Sequence, residues 1–229
     1  MWTRRATTLT ELMDAPDVDI ELLNRTYDRF RLVNRWVARW ESTYAEHVRP
    51  LFKPGQTIRI LDVGCGAGDV ALDLRKRCLN DGFVPELTLI DPSEHVESYF
   101  KTRPLPNGVR YIRTTSSELA STGARFDLVI SNHLMHHLTD ADLRGILADS
   151  HRMATQRVVF SDLDRSVIAW LFFAVFSWPV SFGTFIHTDG LRSIRRSFVR
   201  QELIDLLPGG WSVHRQFPFR LLVMRDGEH

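Results

Sequence analysis

The chain has 229 residues, 29 of them basic and 28 acidic, which suits one α/β domain with a leading or inserted segment and leaves a net charge of +1. So even a balance excludes a global field directed at nucleic acid or an anionic surface. The only two cysteines, Cys65 and Cys78, fall in a glycine loop and the helix after it, which argues against a disulfide framework; the start, MWTRRATTLTELMDAP, lacks the apolar core of a signal peptide, so a cytoplasmic protein is expected.

Residues 1–19 are polar and broken by Pro16. From Asp17 or Asp19, either able to cap, the spacing predicts a long helix to about residue 48. Leu23, Tyr27, Phe30, Asn34 and Val37 share one stripe of it. That stripe either packs into the core or brings Tyr27, Phe30, Arg31 and Asn34 over a ligand, and the polar Asn34 needs a partner in both cases. Pro50, Pro54 and Gly55 end the helix. Ile58 to Val63 reads as a buried strand that stops at Gly64-Cys65-Gly66-Ala67-Gly68, after which Asp69 to Leu74 has helical spacing. A strand ending in glycines that feed a helix brings backbone N–H groups close to a ligand, with no Cβ to hold it off. A dinucleotide fingerprint needs glycine at its sixth position, where Asp69 stands, and this weakens a nicotinamide reading.

Glu86 to Ile90 is the second strand, with Asp91-Pro92-Ser93 at its tip. Asp91 is placed to accept both hydroxyls of a ribose, and Asp91 or Ser93 can also cap the helix from Glu94. Val109 to Ile112 is the third strand, followed by the hydroxyl-rich Thr114 to Ser117. Arg125 to Ser131 is the fourth, running into Asn132-His133-Leu134-Met135-His136-His137-Leu138; Thr139 or Asp140 then caps a helix through about Met153. Arg157 to Asp162 is the fifth.

Ser166 to Ile186 contains no charged residue and is long enough to cross a membrane. Trp178-Pro179 and Gly183 break it, however, and spanning would pull the fifth strand away from the sixth. It reads as a lid or pocket wall, with Trp170, Phe173, Phe176, Trp178 and Phe182 facing an apolar acceptor, or as a peripheral membrane contact. His187-Thr188-Asp189-Gly190 is either an orienting His–Asp pair at the pocket mouth or an Asp-Gly turn capping a helix. Arg192 and Arg196 share a helical face, solvated or meeting an anionic group. Helical spacing returns at Glu202 to Leu207, Pro208-Gly209-Gly210 breaks it, and two strands near Trp211–Arg215 and Phe219–Met224 close the chain. Alternating strands and helices imply a parallel sheet covered on both faces, and the closing pair implies an antiparallel last strand. The expected division is a helical cap over 1–54 and a core over 55–229, with an insert at about 164–197.

The loop Asp62–Gly68, the Asp91-Pro92-Ser93 tip, the strand Phe126–Ser131 with Asn132, and His136-His137-Leu138 agree in order and spacing. Over roughly residues 55–165 the chain resembles small-molecule class I methyltransferases dependent on S-adenosyl-L-methionine (SAM). RTYDRFRLVNRWVARW and HTDGLRSIRRSF are similar to stretches of a bacterial subgroup associated with polyketide or quinone pathways. The resemblance implies a Rossmann-like fold with a seven-stranded, mostly parallel sheet. It implies SAM held by Asp62, Gly64, Cys65, Gly66, Gly68, Asp91, Pro92, Asn132 and Tyr27, with S-adenosyl-L-homocysteine (SAH) as product. Such enzymes often place an acidic residue against the adenine amino group after the third strand; here backbone groups and the hydroxyl of Ser116 would serve. The acceptor would be a hydrophobic small molecule, a phenolic polyketide or quinone precursor, against Phe30, Arg31, Asn34, Trp170, Phe173, Trp178 and Arg196, with no nucleic-acid partner. A phenol, with a pKa near 10, needs a base at neutral pH, and histidine is the usual one. The candidates are His133, His136, His137 and His187, of which His136, His187 and His133 are favoured as catalytic, although one of the adjacent three is expected to stabilise its loop instead. His133 and His137 have an i, i+4 spacing, but no third ligand follows, so no metal is expected. The alternatives are a nucleoside-binding module without catalysis and methylation of RNA or protein.

Overall fold

Runs of branched and leucine side chains make the strands. In a computed structural model that describes residues 2, 4–15 and 17–227, without the side chains of 31–33, 35, 36 and 180, these are β1 (Thr57–Val63), β2 (Val84–Ile90), β3 (Val109–Ile112), β4 (Phe126–Asn132), β5 (Ala154–Leu163), β6 (Ser212–Gln216) and β7 (Arg220–Asp226). They form one sheet in the order β3-β2-β1-β4-β5-β7-β6, as expected of the Rossmann-like methyltransferase fold. β1 to β5 are parallel; β7 runs antiparallel to both β5 and β6.

The helices are α1 (Ile20–Val37), α2 (Trp40–Thr43), α3 (Asp69–Asn80), α4 (Glu94–Lys101), α5 (Ser116–Ser121), α6 (Asp140–Met153), α7 (Val167–Phe176), α8 (Ile186–Arg196) and α9 (Arg200–Leu206). Asp19 accepts the Leu22 amide at the start of α1, and Thr139 accepts the Asp142 amide at the start of α6. Side chains alternate across the sheet. Ile58, Ile60, Leu128 and Ile130 face a core shared with Leu23, Ala71 and Leu74. Leu61, Val129, Val158 and Phe160 face the opposite core with Leu143 and Leu147. Burial on both faces explains why these strands read as continuous apolar runs.

Three expectations need correction. The long N-terminal helix ends at Val37, because Arg39 adopts a left-handed backbone (φ 52°) and starts the short α2. The redirected chain is fixed by tertiary bonds: Trp40 Nε1 donates to Asn132 Oδ1 (3.0 Å) and the Tyr44 hydroxyl to Asp81 (2.6 Å). β5 starts at Ala154 rather than Arg157, directly after α6. Asp189-Gly190 is not a turn; it lies inside α8, where a Cβ on Gly190 would overlap the Phe173 ring. Gly190→Ala should therefore cost about 1–3 kcal/mol in urea unfolding, despite alanine's better helix propensity. Adding Phe173→Ala should remove most of the steric part of that loss; an unchanged midpoint for Gly190→Ala alone would refute the close packing.

Candidate active site

The carboxyl ends of β1, β2 and β4 open on a cavity of about 390 Å³, within the range that takes small molecules. One half is built from the glycine loop. Gly64 (φ 67°) and Gly66 (φ 49°) take backbone conformations that other residues rarely adopt, and a Cβ on Gly64 would lie 2.8 Å from Leu134. The Gly66 amide donates to Asp91 Oδ2 (3.1 Å) and the Ser93 amide to Asp91 Oδ1 (3.0 Å), which fixes that carboxylate at the mouth of the loop. Asp69, at the start of α3, accepts from Asn34 Nδ2 (3.0 Å), the partner that the odd amide on α1 needed.

Three carboxylates thus meet around one loop. Burial, and then the nearness of Asp69 and Asp91, pushes the Asp62 carboxyl well above its usual range. Burial also raises Asp91, against the pull of the Ser93 and Gly66 amides, and Asp69, against the pull of Asn34. None of the described residues lining the cavity is a lysine or arginine. A cationic ligand would relieve this repulsion.

The other half is built from the segment after β4. His133 sits at φ 59°, a strained position for a non-glycine residue. Its Nε2 lies 2.8 Å from Nη1 of Arg220, which is fully buried at the start of β7. Guanidinium can only donate, so Nε2 accepts and the ring proton is assigned to Nδ1. Burial first, then the Arg220 charge, holds His133 well below its ordinary pKa, so the ring is neutral. Arg220 also donates to Asn132 Oδ1 (2.6 Å) and Ser161 Oγ (2.8 Å).

His136 is buried between two carboxylates. Its Nδ1 lies 2.8 Å from Asp162 Oδ1 and its backbone amide donates to Asp162 Oδ2 (2.9 Å). Nε2 lies 3.2 Å from Glu11 Oε1 but out of line for a hydrogen bond, so that contact is ionic. Burial opposes charge on the ring, yet Asp162 and Glu11 outweigh it and raise the pKa to about 9. Glu11 is correspondingly lowered to about 2, against its burial, by His136, His137 and a hydrogen bond from Ser193 (2.7 Å). His136 is therefore an imidazolium at neutral pH, not a free base. His137, partly exposed, has Nδ1 3.2 Å from Asp14 and Nε2 3.8 Å from Glu11.

The pairing of His136 with Asp162, and then with Glu11, predicts a pH window. The folded pKa of His136 is raised from 6.5, so its stabilisation is complete below about pH 6.5 and lost as pH rises through 9. Glu11 is lowered from 4.5, so its share is present above that value and lost as pH falls toward 2. Urea stability should fall by about 2 kcal/mol between neutral and strongly alkaline pH. Glu11→Gln should flatten part of that slope, because Asp162 still holds the ring; an identical slope in the variant would sink the Glu11 contact.

Of the residues singled out from sequence, the cavity brings together Tyr27, Phe30, Asn34, Asp62, Gly64, Cys65, Gly66, Asp91, Asn132, His133, His136, His137 and Phe173. Others lie elsewhere. Gly68 caps α3 against Leu89, the Pro92 carbonyl accepts from Arg113, and the Ser116 hydroxyl donates to Asp149. Trp170 packs on Trp2; His187 bonds Ser177 and stands edge-on to the exposed Trp178. Arg196 lies behind the cavity, 4.0 Å from Glu11. The Arg31 side chain lies outside the described residues. Glu11, Asp14 and Asp162 were missed: the first two belong to a polar stretch with no periodicity, and Asp162 reads only as the end of a strand.

Residues 60–157 match the methyltransferase domain family. The likeness to a methyltransferase domain thus runs from β1 into β5. Among relatives, the chain is 31% identical to a ubiquinone biosynthesis O-methyltransferase of Azorhizobium caulinodans, over 54% of this chain and 46% of that one. It is 32% identical to an uncharacterized methyltransferase of Mycobacterium tuberculosis, over 35% and 38%. The match thus spans less than half the length of these curated relatives. The fold is similar to that of the plantazolicin methyltransferase BpumL in complex with SAH, with a TM-score of 0.59 at 14% identity over 95% of this chain and 93% of that one. It is also similar to human N-acetylserotonin methyltransferase in complex with SAM, with a TM-score of 0.54 at 13% identity over 93% and 61%.

Proposed function

We propose that the chain is a SAM-dependent methyltransferase acting on a hydrophobic small molecule with an ionisable hydroxyl, a phenolic polyketide or quinone precursor. The observation that carries this reading is the glycine loop ringed by Asp62, Asp69 and Asp91. That donor set fits SAM, whose ammonium and sulfonium groups are cations and whose ribose offers two hydroxyls. Gly66 faces open space beside the cavity, where an adenosyl amino acid can lie against bare backbone. Asp91 would hold the ribose, Asp62 and Asp69 would offset the positive charges, and Tyr27 and Phe30 of α1 would close over the top. When bound, SAM supplies an already electrophilic methyl group, so the chain's task is to place the acceptor oxygen in line with it.

The acceptor half suits an apolar ring, walled by Met13, Phe30, Leu163, Phe173, Ile186 and Ile194. Neither His133, whose lone pair is engaged by Arg220, nor the protonated His136 accepts a proton at neutral pH. We assign that role to His137, which reaches the cavity and is oriented through Nδ1 by Asp14. His133 offers its Nδ1–H as a fixed donor. His137→Ala should lower methyl transfer about 10²- to 10⁴-fold at neutral pH, with recovery as pH approaches the acceptor's own pKa. Titration with SAH in a calorimeter, followed by transfer of labelled methyl from SAM to a panel of alkyl-substituted phenols, tests the whole reading. Absence of SAH binding would end it; binding without transfer to any acceptor would favour the nucleoside-binding module.

A further inference from the structure

We infer that the outer face of α7, with the turn that follows it, docks the protein on an anionic lipid bilayer. The sequence of α7, VIAWLFFAVF, has no polar residue. Only one stripe of it is used internally: Ala169 is buried and Phe173 lines the cavity. The opposite stripe, Ile168, Leu171, Phe172, Val175 and Phe176, faces solvent, and Trp178 and Phe182 extend it. Phe176 is 68% exposed, Trp178 70% and Phe182 85%. Phe172 and Phe176 stack on each other at 5.3 Å, so they form one continuous surface. Helices that face water carry polar residues there, and contiguous apolar surface of this kind marks a contact.

Charge selects the occupant. The tip of this surface leans on α1, where Arg29 Nη1 donates to the Phe182 carbonyl (2.7 Å) and Arg25 reaches Gly183. Arg25 and Arg29 lie one turn apart on α1. Asp28 is engaged by Arg103. Aromatic and aliphatic side chains edged by arginines match the boundary between acyl chains and anionic headgroups. A second copy docked face to face would set like-charged edges together. No helix among the described residues is long and apolar enough to cross a membrane, so the contact lies in the plane of the surface. Phe173 then puts the acceptor cavity directly behind the docked helix, giving an apolar acceptor a path that avoids water. This purpose rests on the proposed methyl transfer; the contact itself is measured without it.

The test uses the whole chain, vesicles of phosphatidylcholine alone and vesicles containing phosphatidylglycerol, with SAH affinity measured on every protein as a check of folding. The wild-type protein should sediment with the phosphatidylglycerol vesicles. F176E/F182E should stay in the supernatant with unchanged SAH affinity. R25Q/R29Q should lose about fivefold in partitioning per arginine, and only toward the anionic vesicles. Three results would each overturn the inference: no sedimentation of the wild type, sedimentation of F176E/F182E equal to wild type, or a wild-type dimer that F176E/F182E splits. Loss of SAH binding by the wild type would instead defeat the methyltransferase reading and leave the vesicle result to stand on its own.

Discussion

Replacing Asp91 with alanine should weaken SAM binding by about 1–3 kcal/mol, roughly five- to 150-fold in Kd. The carboxylate has two tasks. It accepts the Gly66 and Ser93 amides, which shapes the loop, and it lines the cavity where ribose hydroxyls would sit. Removing it leaves two amides without their acceptor and the sugar without its grip. Asp91→Asn separates these tasks, since the amide oxygen can still accept one loop N–H while its NH₂ group turns a donor toward hydroxyls that need an acceptor. Calorimetry with SAM and SAH at neutral pH reads both variants. Equal affinity for wild type and Asp91→Ala would remove Asp91 from the nucleoside site.

Arg220→Met should be the most damaging change in the acceptor half. A fully buried cation is costly to keep, and here it is held by His133, Asn132 and Ser161. Methionine fills much of the space but leaves His133 Nε2 and Ser161 Oγ without that donor and Asn132 Oδ1 with Trp40 alone, at a cost of about 2–4 kcal/mol in urea unfolding. The substitution also removes the positive charge that helps keep His133 neutral, so the His133 pKa should rise while its burial still acts the other way. An NMR titration of the ring reads this directly, and a purely structural role for Arg220 would not move it. Arg220→Lys keeps the charge without the fork and should restore the titration better than the stability. A His133 titration unchanged in Arg220→Met would refute the coupling.

Much of the cofactor half was legible because it is encoded locally. A strand, a glycine bend and a helix are contiguous, and Asp91 sits at the tip of the next strand, so order and spacing alone bring them together. The acceptor half is encoded by chain-distant contacts. Glu11 meets His136, Arg220 meets His133, and Trp40 meets Asn132, none of them within one periodic element. The same cause ended the N-terminal helix early, where a tryptophan bond to β4 overrides a helical pattern. Gly190 misled for the opposite reason. Asp-Gly is a strong local turn signal, but the Phe173 ring requires a residue without a side chain inside the helix. His187 looked catalytic through its neighbour Asp189, yet a helix turns them apart: His187 goes to Ser177, and Asp189 goes to the amides of Leu12 and Met13.

Those two amides on Asp189, with Ser193 on Glu11, fasten a remote stretch of chain across the chamber like a latch on a box. Neither the glycine loop nor Asp91 takes a share in that fastening. Under the proposed methyl transfer, substitutions within residues 4–15 would reshape which acceptor fits without touching the amides that hold Asp91.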